Sequence, residues 1–217
     1  MHSRESLCRR LTDPGLIAVV RARRADQVPS LAEALVAGGI TAIEVTFTTP
    51  DACVAIAATA ARLGARGLVG AGTVLTEAQC RDALEAGAQF VVSPIARGEL
   101  VPLAHAAGKP VMLGACTPTE AQRVHEAGAD FVKLFPADTL GPAFIKALRA
   151  PLPHLKIVPT GGVDLRTLAD FMRAGCVAVG VGSSLLTADI LAREDWPALT
   201  ELARQYVAAM AAARAGR

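Results

Sequence analysis

One short pattern recurs along most of this chain and limits the folds that it can adopt. A stretch of helical character ends in a small residue and a glycine, and a short apolar run follows, as at Gly38, Gly87, Gly108, Gly128 and Gly175. Glycine accepts the left-handed conformation that ends helices, and the apolar runs are typical of strands buried on both faces of a parallel sheet. Gly87, Gly108 and Gly128 are 21 and then 20 residues apart, about one strand and one helix each. The pattern therefore predicts a repeated βα architecture.

Eight apolar runs alternate with eight Ala-rich amphipathic segments. This is the pattern of the α/β fold known as the (β/α)8 or TIM barrel, which has eight parallel strands. An open doubly wound sheet is the alternative, and it would need a reversal of strand order. The predicted strands are 16–20, 42–46, 67–70, 90–93, 111–113, 131–134, 156–159 and 177–181. The predicted helices are about 25–37, 51–63, 76–86, 97–107, 118–127, 141–149, 164–174 and a segment after 183.

Length and composition fit one domain. The chain has 217 residues, of which 52% are hydrophobic, and this is enough for one sizeable core. Because α/β barrels of this length are commonly single domains and no linker divides the sequence, we predict one barrel domain over residues 1–217. An additional helix at about 195–213, which carries Trp196 and Tyr206, is expected on the outside of the barrel.

Charge and residue spacing argue against several kinds of partner. The formal net charge is +2 without a basic or acidic run, so we expect no binding to nucleic acid or to a membrane. No apolar stretch reaches the roughly 18 residues of a membrane-spanning helix. Residues 1–10 lack the apolar core of a signal peptide, so we predict a cytoplasmic protein. The five cysteines and four histidines are scattered without metal-ligand spacing, so we predict neither a metal nor a cofactor.

Lys133 is the least expected residue of the predicted strands, because it lies within the apolar sequence Phe131-Val132-Lys133-Leu134-Phe135. Burial disfavours the charged form of an amine, and a neutral lysine is a nucleophile that forms Schiff bases with carbonyl compounds. The alternative is a lysine at a strand end whose stem reaches water. This segment alone leaves both interpretations open.

Alternation along the second and sixth predicted strands places two charges inside the barrel. Ile43 and Val45 are expected to face the helices, so Glu44 points inward, and the same parity turns Lys133 inward. A carboxylate inside a barrel is costly unless it is paired or used in chemistry. A purely structural Glu44–Lys133 ion pair is the alternative. Because such pairs contribute little to stability, we favour a functional pair.

Glycine-rich segments follow three predicted strands, at the ends where TIM barrels carry their functional residues. Gly72 and Thr73 follow the third strand, where backbone amides and a hydroxyl would suit a carboxylate. Two further segments follow the seventh and eighth strands, which is the usual place of the phosphate site in TIM barrels. We therefore predict phosphate binding there. The residues of these two segments are Gly161, Gly162, Gly182 and Ser183.

In order and spacing, these segments resemble the 2-keto-3-deoxy-6-phosphogluconate (KDPG) aldolase family, which includes 4-hydroxy-2-oxoglutarate aldolases. The resemblance covers roughly residues 10–190. It implies a metal-free, homotrimeric class I aldolase that acts through a lysine Schiff base. The implied reaction cleaves 2-dehydro-3-deoxy-6-phosphogluconate to pyruvate and glyceraldehyde 3-phosphate. The matching segments are 44–46, 70–74, 92–94, 117–120, 133–137, 141–142, 159–163 and 179–183.

The resemblance also implies roles for individual residues. Lys133 would form the imine with the pyruvate carbonyl, and Glu44 would be the general acid and base, acting through water. Thr73 and the amides near Gly72 would hold the pyruvate carboxylate, and Thr160 would contact the substrate near the reacting carbonyl or hydroxyl. The implied phosphate ligands are Gly161, Gly162, Gly182 and Ser183, and the implied pocket walls are Phe135 and Pro94.

One position departs from the family pattern. Many members carry an arginine four residues after the catalytic glutamate, where it binds the carboxylate of pyruvate, and this chain has Thr48 there. Other members share the Thr-Phe-Thr segment, so the departure is compatible with activity. Thr48 is a candidate substrate contact. We expect carboxylate binding to depend more on Thr73, neighbouring amides and Arg21, which follows the first predicted strand.

Other functions stay open on the sequence. The same residues suit an aldolase for the galactonate epimer, 2-dehydro-3-deoxy-6-phosphogalactonate, or the cleavage of 4-hydroxy-2-oxoglutarate to pyruvate and glyoxylate. A phosphosugar isomerase or epimerase would use Glu44 as the base and Lys133 only as an electrophile. A non-catalytic barrel that binds phosphorylated metabolites would keep the glycine-rich loops and show no turnover.

Overall fold

The fold is seen in a computed structural model, which describes residues 3–216. Its eight strands are β1 (Leu16–Val20), β2 (Ala42–Thr46), β3 (Leu68–Gly72), β4 (Val91–Val92), β5 (Val111–Ala115), β6 (Phe131–Leu134), β7 (Ile157–Pro159) and β8 (Val179–Val181). All are parallel, in the order β7-β6-β5-β4-β3-β2-β1-β8. A parallel bridge between Thr160 and Gly180 joins the two outermost strands. The predicted (β/α)8 barrel is therefore confirmed, and the doubly wound alternative is wrong because strand order never reverses.

Five strands differ from their predicted bounds: β4, β7 and β8 are shorter than predicted, whereas β3 and β5 end later, in segments that contain glycine. β3 and β5 each extend two residues further than predicted, through Gly72 and past Gly114. Glycine weakens a strand unless a neighbour needs the space of its missing side chain. An added Cβ would collide with Phe90 at Gly70 and with the Glu44 carboxylate at Gly72. These glycines therefore belong to the strands because side chains inside the barrel occupy the room that they leave.

Ten α-helices surround the strands in the described part of the chain. Nine match predicted segments, and α7 has an additional first turn before Gly141, whose φ of 72° interrupts the helix. The helices are α1 (Arg4–Thr12), α2 (Val28–Ala37), α3 (Ala52–Leu63), α4 (Glu77–Glu85), α5 (Leu100–Ala106), α6 (Pro118–Glu126), α7 (Ala137–Arg149), α8 (Leu168–Arg173), α9 (Ala188–Arg193) and α10 (Trp196–Ala215).

Two apolar layers show which way each strand residue points. The outer layer, between strands and helices, includes Ile43, Val45, Val132 and Leu134. The inner layer fills the barrel, and α1 closes it from the amino-terminal end of the strands with Leu7 and Leu11. The parity argument for β2 and β6 is therefore confirmed. The inner layer consists of Leu7, Leu11, Ile17, Ala42, Leu68, Phe90, Val92, Met112, Phe131, Val158 and Ala178.

The first helix was missed in the sequence, whereas the last one was predicted at about 195–213. Helix α1 was not predicted, because only two of its nine residues are buried and the rest look like a polar terminus. Helix α10 packs on α2 and α8, where the Thr200 hydroxyl donates to the Ala34 carbonyl at 3.0 Å. Residues 1, 2 and 217 of the predicted domain lie outside the described part. None of the helices between residues 3 and 216 combines the length and apolar character that crossing a bilayer needs.

Candidate active site

Lys133 points into the barrel from β6. Its neighbours Val132 and Leu134 pack in the outer layer, so strand alternation turns the amine inward. The side chain is only 5% exposed. A lysine whose ammonium reached water along its stem would be far more accessible, so that alternative is wrong.

Glu44 meets this amine from β2. Its side chain is 2% exposed, and Oε1 accepts a hydrogen bond from Lys133 Nζ at 3.3 Å. Glycine at position 72 leaves the space that the carboxylate fills, because a Cβ there would collide with Glu44 Oε1. The structure therefore brings together the two charged residues that lie 89 positions apart in the sequence.

The pair has few other protein partners. A lysine ammonium carries three donors, and a carboxylate has about four acceptor positions. Within residues 3–216, the bond between Nζ and Oε1 is the one hydrogen bond that either side chain makes. Buried ionic groups that serve structure usually have their remaining hydrogen-bond capacity satisfied by the protein. The Lys133 amine is therefore able to bind or react with another group, such as a ligand.

Phe135 connects this pair to the surface. Its ring centroid lies 5.9 Å from Lys133 Nζ, within the range of a cation–π contact. The residue is 40% exposed. Phe135 also lines the large cavity at the carboxyl ends of the strands. Phe135 therefore contacts both the cavity and the amine of Lys133.

The cavity has a volume of about 970 Å³ and collects most of the predicted site. It opens where TIM barrels carry their functional residues. Lys133, Glu44, Gly72, Thr73 and Pro94 are not among the residues that line it. The predicted site residues that do line it are Arg21, Thr48, Phe135, Thr160, Gly161, Gly162, Gly182 and Ser183.

The two glycine-rich loops form one side of the cavity. Gly161 and Gly162 have φ values of 95° and 68°, a region that side chains other than glycine rarely adopt. Thr160, which precedes them, is 7% exposed and packs against Gly180 of β8. The backbone amides of such loops are free to meet an anion. The geometry is thus compatible with the predicted phosphate site.

An ion pair fixes the loop after Gly162. The Asp164 carboxylate accepts the amides of Arg166 and Thr167, both at 2.9 Å. The Arg166 guanidinium donates to the other carboxylate oxygen at 2.8 Å. The guanidinium, followed by the other hydrogen bonds, holds the pKa of Asp164 below its ordinary value. The Asp164 carboxylate therefore stays ionised, and keeps its hydrogen bonds, at a lower pH than an ordinary aspartate would.

Arg21 and Thr48 touch each other at the cavity. Arg21 Nε donates to Thr48 Oγ1 at 2.9 Å, although 27 residues separate them. The sequence treated them as separate candidates for the substrate carboxylate. In the structure the two side chains are hydrogen-bonded to each other, because the adjacent strands β1 and β2 end side by side.

Thr73 and Pro94 lie at the ends of β3 and β4, outside the cavity lining. Thr73 is half-buried and has a φ of 58°, and a non-glycine residue in this left-handed region costs roughly 1–3 kcal/mol. The Pro94 carbonyl lies against Gly114, where no side chain could be accommodated. Close backbone packing thus restricts the position of Pro94, whereas Thr73 has a strained backbone conformation.

Several cavity residues were not predicted to bind the substrate. Arg23, Asp164, Arg166 and Ser184 line the cavity beside the predicted residues. Their position in the sequence could have identified them, because each lies in a loop that follows β1, β7 or β8. Across residues 3–216, no three side chains of His, Cys, Asp or Glu are grouped so that they could hold a metal ion.

The fold and the comparisons place this protein in the class of (β/α)8-barrel carbon–carbon lyases. The family model "KDPG and KHG aldolase" matches residues 7–202. The chain belongs to this family, as its sequence motifs predicted.

Individual relatives carry two substrate names. A 2-dehydro-3-deoxy-phosphogluconate aldolase of Treponema pallidum is 41% identical over 88% of this chain and 90% of the relative. A probable 2-dehydro-3-deoxy-6-phosphogalactonate aldolase of Rhizobium meliloti is also 41% identical, over 78% of this chain and 81% of the relative. A KDPG aldolase from Legionella pneumophila, solved with pyruvate captured at low pH as a covalent carbinolamine, has a TM-score of 0.82 and 30% identity. That comparison covers 91% of this chain and 96% of the solved chain.

Proposed function

We propose that this protein is a class I aldolase that cleaves 2-dehydro-3-deoxy-6-phosphogluconate reversibly to pyruvate and glyceraldehyde 3-phosphate. One observation carries the proposal: a buried lysine amine lies 3.3 Å from a buried carboxylate, inside the end of the barrel where the cavity opens. Membership of the KDPG and KHG aldolase family supports it. The solved relative that holds pyruvate as a covalent carbinolamine supports the lysine chemistry.

Lys133 is proposed as the nucleophile. Its neutral amine adds to the C2 carbonyl of the substrate, and the resulting carbinolamine loses water to form an iminium ion. When the C3–C4 bond breaks, its electron pair passes to the iminium, the C4 hydroxyl loses its proton, and glyceraldehyde 3-phosphate leaves. The enamine that remains takes up a proton at C3, and hydrolysis then releases pyruvate and restores the amine.

Glu44 is proposed to move the protons in these steps. Its Oε1 is within reach of Lys133 Nζ, so it can take the ammonium proton before the amine attacks. It can then exchange protons with the carbinolamine and, through water, with the C4 hydroxyl. General acid–base catalysis of this kind contributes about 10²–10⁴-fold to a rate.

The substrate carboxylate is proposed to bind at the ends of β1, β2 and β3. Arg21 and Thr48 face the cavity there. The hydroxyl of Thr73 and the amide near Gly72 lie at the end of β3. The strained φ of Thr73 supports a functional position, because such conformations concentrate at binding sites. Pro94, on the next strand, would complete the wall.

The phosphate is proposed to bind between the loops after β7 and β8. Gly161 and Gly162, which have positive φ angles, line the cavity together with Gly182 and Ser183, which follow β8, and their backbone amides would bind the phosphate. Thr160 would contact the substrate between this anion site and the amine. Binding energy from the distant phosphate can orient the reacting bond.

A second substrate is favoured by one specific observation. The relative named as a galactonate aldolase has the same 41% identity as the one named as a gluconate aldolase, over 78% rather than 88% of this chain. The two substrates differ in configuration at C4, so we propose the phosphogalactonate compound as the second candidate. Cleavage of 4-hydroxy-2-oxoglutarate would use the same amine without the phosphate loops. An isomerase, an epimerase or a binding protein would form no covalent adduct with pyruvate.

We further propose one barrel domain that assembles as a homotrimer in the cytoplasm and acts in the Entner–Doudoroff pathway. Membership of the family supports this proposal. Light scattering after gel filtration tests the assembly: a trimer has three times the 22.4 kDa of the chain. A mass equal to that of one chain would contradict it.

Borohydride reduction in the presence of pyruvate tests the proposed chemistry. The iminium is reduced to a stable secondary amine, and peptide mass spectrometry should find the adduct on Lys133. The variant Lys156→Met is the matched control, because Lys156 is exposed and should leave the adduct unchanged. An unmodified Lys133 in the wild-type protein would refute the Schiff-base mechanism.

A pyruvate-release assay then separates the substrates. The gluconate compound, its galactonate epimer and 4-hydroxy-2-oxoglutarate are compared at equal concentration by kcat/KM. We expect the gluconate compound to be cleaved fastest. A higher kcat/KM for the galactonate epimer would favour the second candidate, while adduct formation on Lys133 would still stand.

A further inference from the structure

Thr46 is a buried polar residue that the proposed chemistry does not use. It ends β2, two positions after Glu44, and is 1% exposed. Its hydroxyl makes two hydrogen bonds, one with the Val20 carbonyl at 3.0 Å and one with the Thr48 hydroxyl at 2.8 Å. Thr48 in turn accepts the bond from Arg21 Nε at 2.9 Å. Three side chains thus form a continuous chain from the barrel wall to the cavity.

The direction of every bond in this chain is determined. A carbonyl oxygen can only accept, so the single proton of the Thr46 hydroxyl goes to Val20. Thr46 must then accept from Thr48. A guanidinium can only donate, so Arg21 donates to Thr48. Each threonine hydroxyl therefore has one accepting and one donating bond, and neither can reorient without breaking one of them.

The chain of bonds fixes Arg21 and leaves its charge free for a ligand. Within residues 3–216, Arg21 has no carboxylate partner, whereas Arg24 contacts Asp26 and Glu194. The bond to Thr48 uses only Nε, so both terminal nitrogens remain available on the cavity side. A guanidinium held in this way is suited to a carboxylate, which it can bind with two parallel hydrogen bonds.

We propose that Thr46 and Thr48 are positioning residues that hold Arg21 for the carboxylate of the substrate. The inference depends on the proposed aldolase function and deepens it. Thr48 would thus act through Arg21, as its acceptor, rather than by touching the substrate. Thr46, two residues before Thr48, completes the arrangement. The charge that binds the carboxylate is thus supplied by Arg21, which follows β1, the strand next to β2.

The test measures borohydride trapping as a function of pyruvate concentration. Thr48→Val and Thr46→Val remove one hydroxyl each, and Thr48 is exposed, so its variant should fold. We expect the pyruvate concentration for half-maximal trapping to rise about tenfold, the factor that the loss of one modest hydrogen bond gives. The maximal trapping rate should stay near that of the wild type. Thr46→Ser keeps the hydroxyl and should restore the wild-type value.

Acetone separates positioning of Arg21 from a general structural effect. It forms the same imine but has no carboxylate, so its trapping should be unchanged in Thr48→Val and Thr46→Val. Thr59→Val is the matched control for a buried hydroxyl, because Thr59 is fully buried and its hydroxyl has no hydrogen bond within residues 3–216.

The possible outcomes distinguish this inference from the proposed function. Wild-type trapping with unchanged pyruvate dependence in both valine variants overturns the positioning role and leaves the aldolase standing. Equal losses for pyruvate and acetone overturn it as well. No adduct in the wild type overturns both.

Discussion

The two ends of the barrel both bury charge, but they bond it in different ways. At the carboxyl end, Lys133 and Glu44 share one hydrogen bond of 3.3 Å and have no second hydrogen-bond partner among the described residues. At the amino end, the side chain of Asp130 is 12% exposed and is surrounded by donors from three other elements. The carboxylate of Asp130 thus has three hydrogen bonds and an ion pair, whereas the Glu44–Lys133 pair has one hydrogen bond.

Asp130 ties together the amino end of the barrel. Its Oδ2 accepts the Val111 amide at 2.9 Å and lies 2.9 Å from His105 Nε2. Its Oδ1 accepts the Cys8 thiol at 3.6 Å and lies 3.6 Å from Arg4 Nε. These partners come from β5, α5 and α1.

This difference indicates how a buried charge that acts in catalysis can be distinguished from one that stabilises the fold. A buried carboxylate whose acceptor positions are filled by the protein stabilises the fold, and removing it leaves buried donors unsatisfied. A buried pair with unused capacity contributes little to stability, and removing it costs activity instead. The four predictions that follow test this contrast, from the largest expected effect to the smallest.

Replacing Lys133 with Met should reduce pyruvate release to the background of the assay, because no other amine takes its place in the proposed reaction. The measurement is kcat/KM for the phosphogluconate substrate, with circular dichroism to check folding. The single change leaves Glu44 buried without its partner and could unfold the protein. The double variant Lys133→Met with Glu44→Leu removes that unpaired charge, so its kcat/KM tests the loss of the amine in a folded protein. Residual turnover above about one part in 10⁴ of wild type would be too high for a missing nucleophile.

Replacing Asp130 with Ala should have the opposite profile. The free energy of unfolding should fall by about 2 kcal/mol, because the Val111 amide and the half-buried donors of His105 and Cys8 lose their acceptor, while kcat/KM stays near the wild-type value. Urea denaturation measures the first quantity and the pyruvate assay the second. Asp82→Ala is the control, since Asp82 is exposed and surface changes usually cost less than about 0.5 kcal/mol. Equal stability of the two variants would contradict the supporting role.

The double variant Lys133→Met with Glu44→Leu should leave the free energy of unfolding unchanged or raise it by up to about 4 kcal/mol. Apolar side chains of similar size avoid the desolvation of two buried charges. The single variant Lys133→Met should be less stable than the double variant, because it keeps an unpaired carboxylate. A double variant much less stable than wild type would show that the pair serves the fold.

Alkaline pH should lower the free energy of unfolding through the Cys8 thiol at the amino end of the barrel, by less than the Asp130→Ala substitution does. Burial, and then the charge of Asp130, raises the pKa of the Cys8 thiol from 9.0 to about 12. Between these values the unfolded chain loses the thiol proton and the folded chain keeps it, so the free energy of unfolding falls as pH rises. Cys8→Ala lacks this component.

Urea midpoints at about pH 8 and about pH 10.5, on either side of the ordinary thiol pKa, measure the effect. The stability advantage of wild type over Cys8→Ala should shrink at the higher pH. An advantage that stays constant would mean that the thiol titrates alike in the folded and unfolded chains.

Local patterns were enough to predict much of the fold. All eight strands were located, because apolar runs of β-strand length alternate with amphipathic helices along the chain. Parity along β2 and β6 predicted that Glu44 and Lys133 face the same interior, and the 3.3 Å contact confirms it. Helix α1 was missed, because two buried leucines in nine residues give too weak a pattern to separate it from a polar terminus.

The sequence by itself determined the barrel, the inward direction of Glu44 and Lys133, and the family. These follow from the period-two alternation of strands and from the spacing of motifs, which are local properties. Only the tertiary structure decided that Arg21, Thr48 and Thr46 form one hydrogen-bonded chain, and that the Asp130 carboxylate makes three hydrogen bonds while the Glu44–Lys133 pair makes one. Hydrogen bonds between distant residues depend on strand register and on distances of about 3 Å, and no local pattern encodes them.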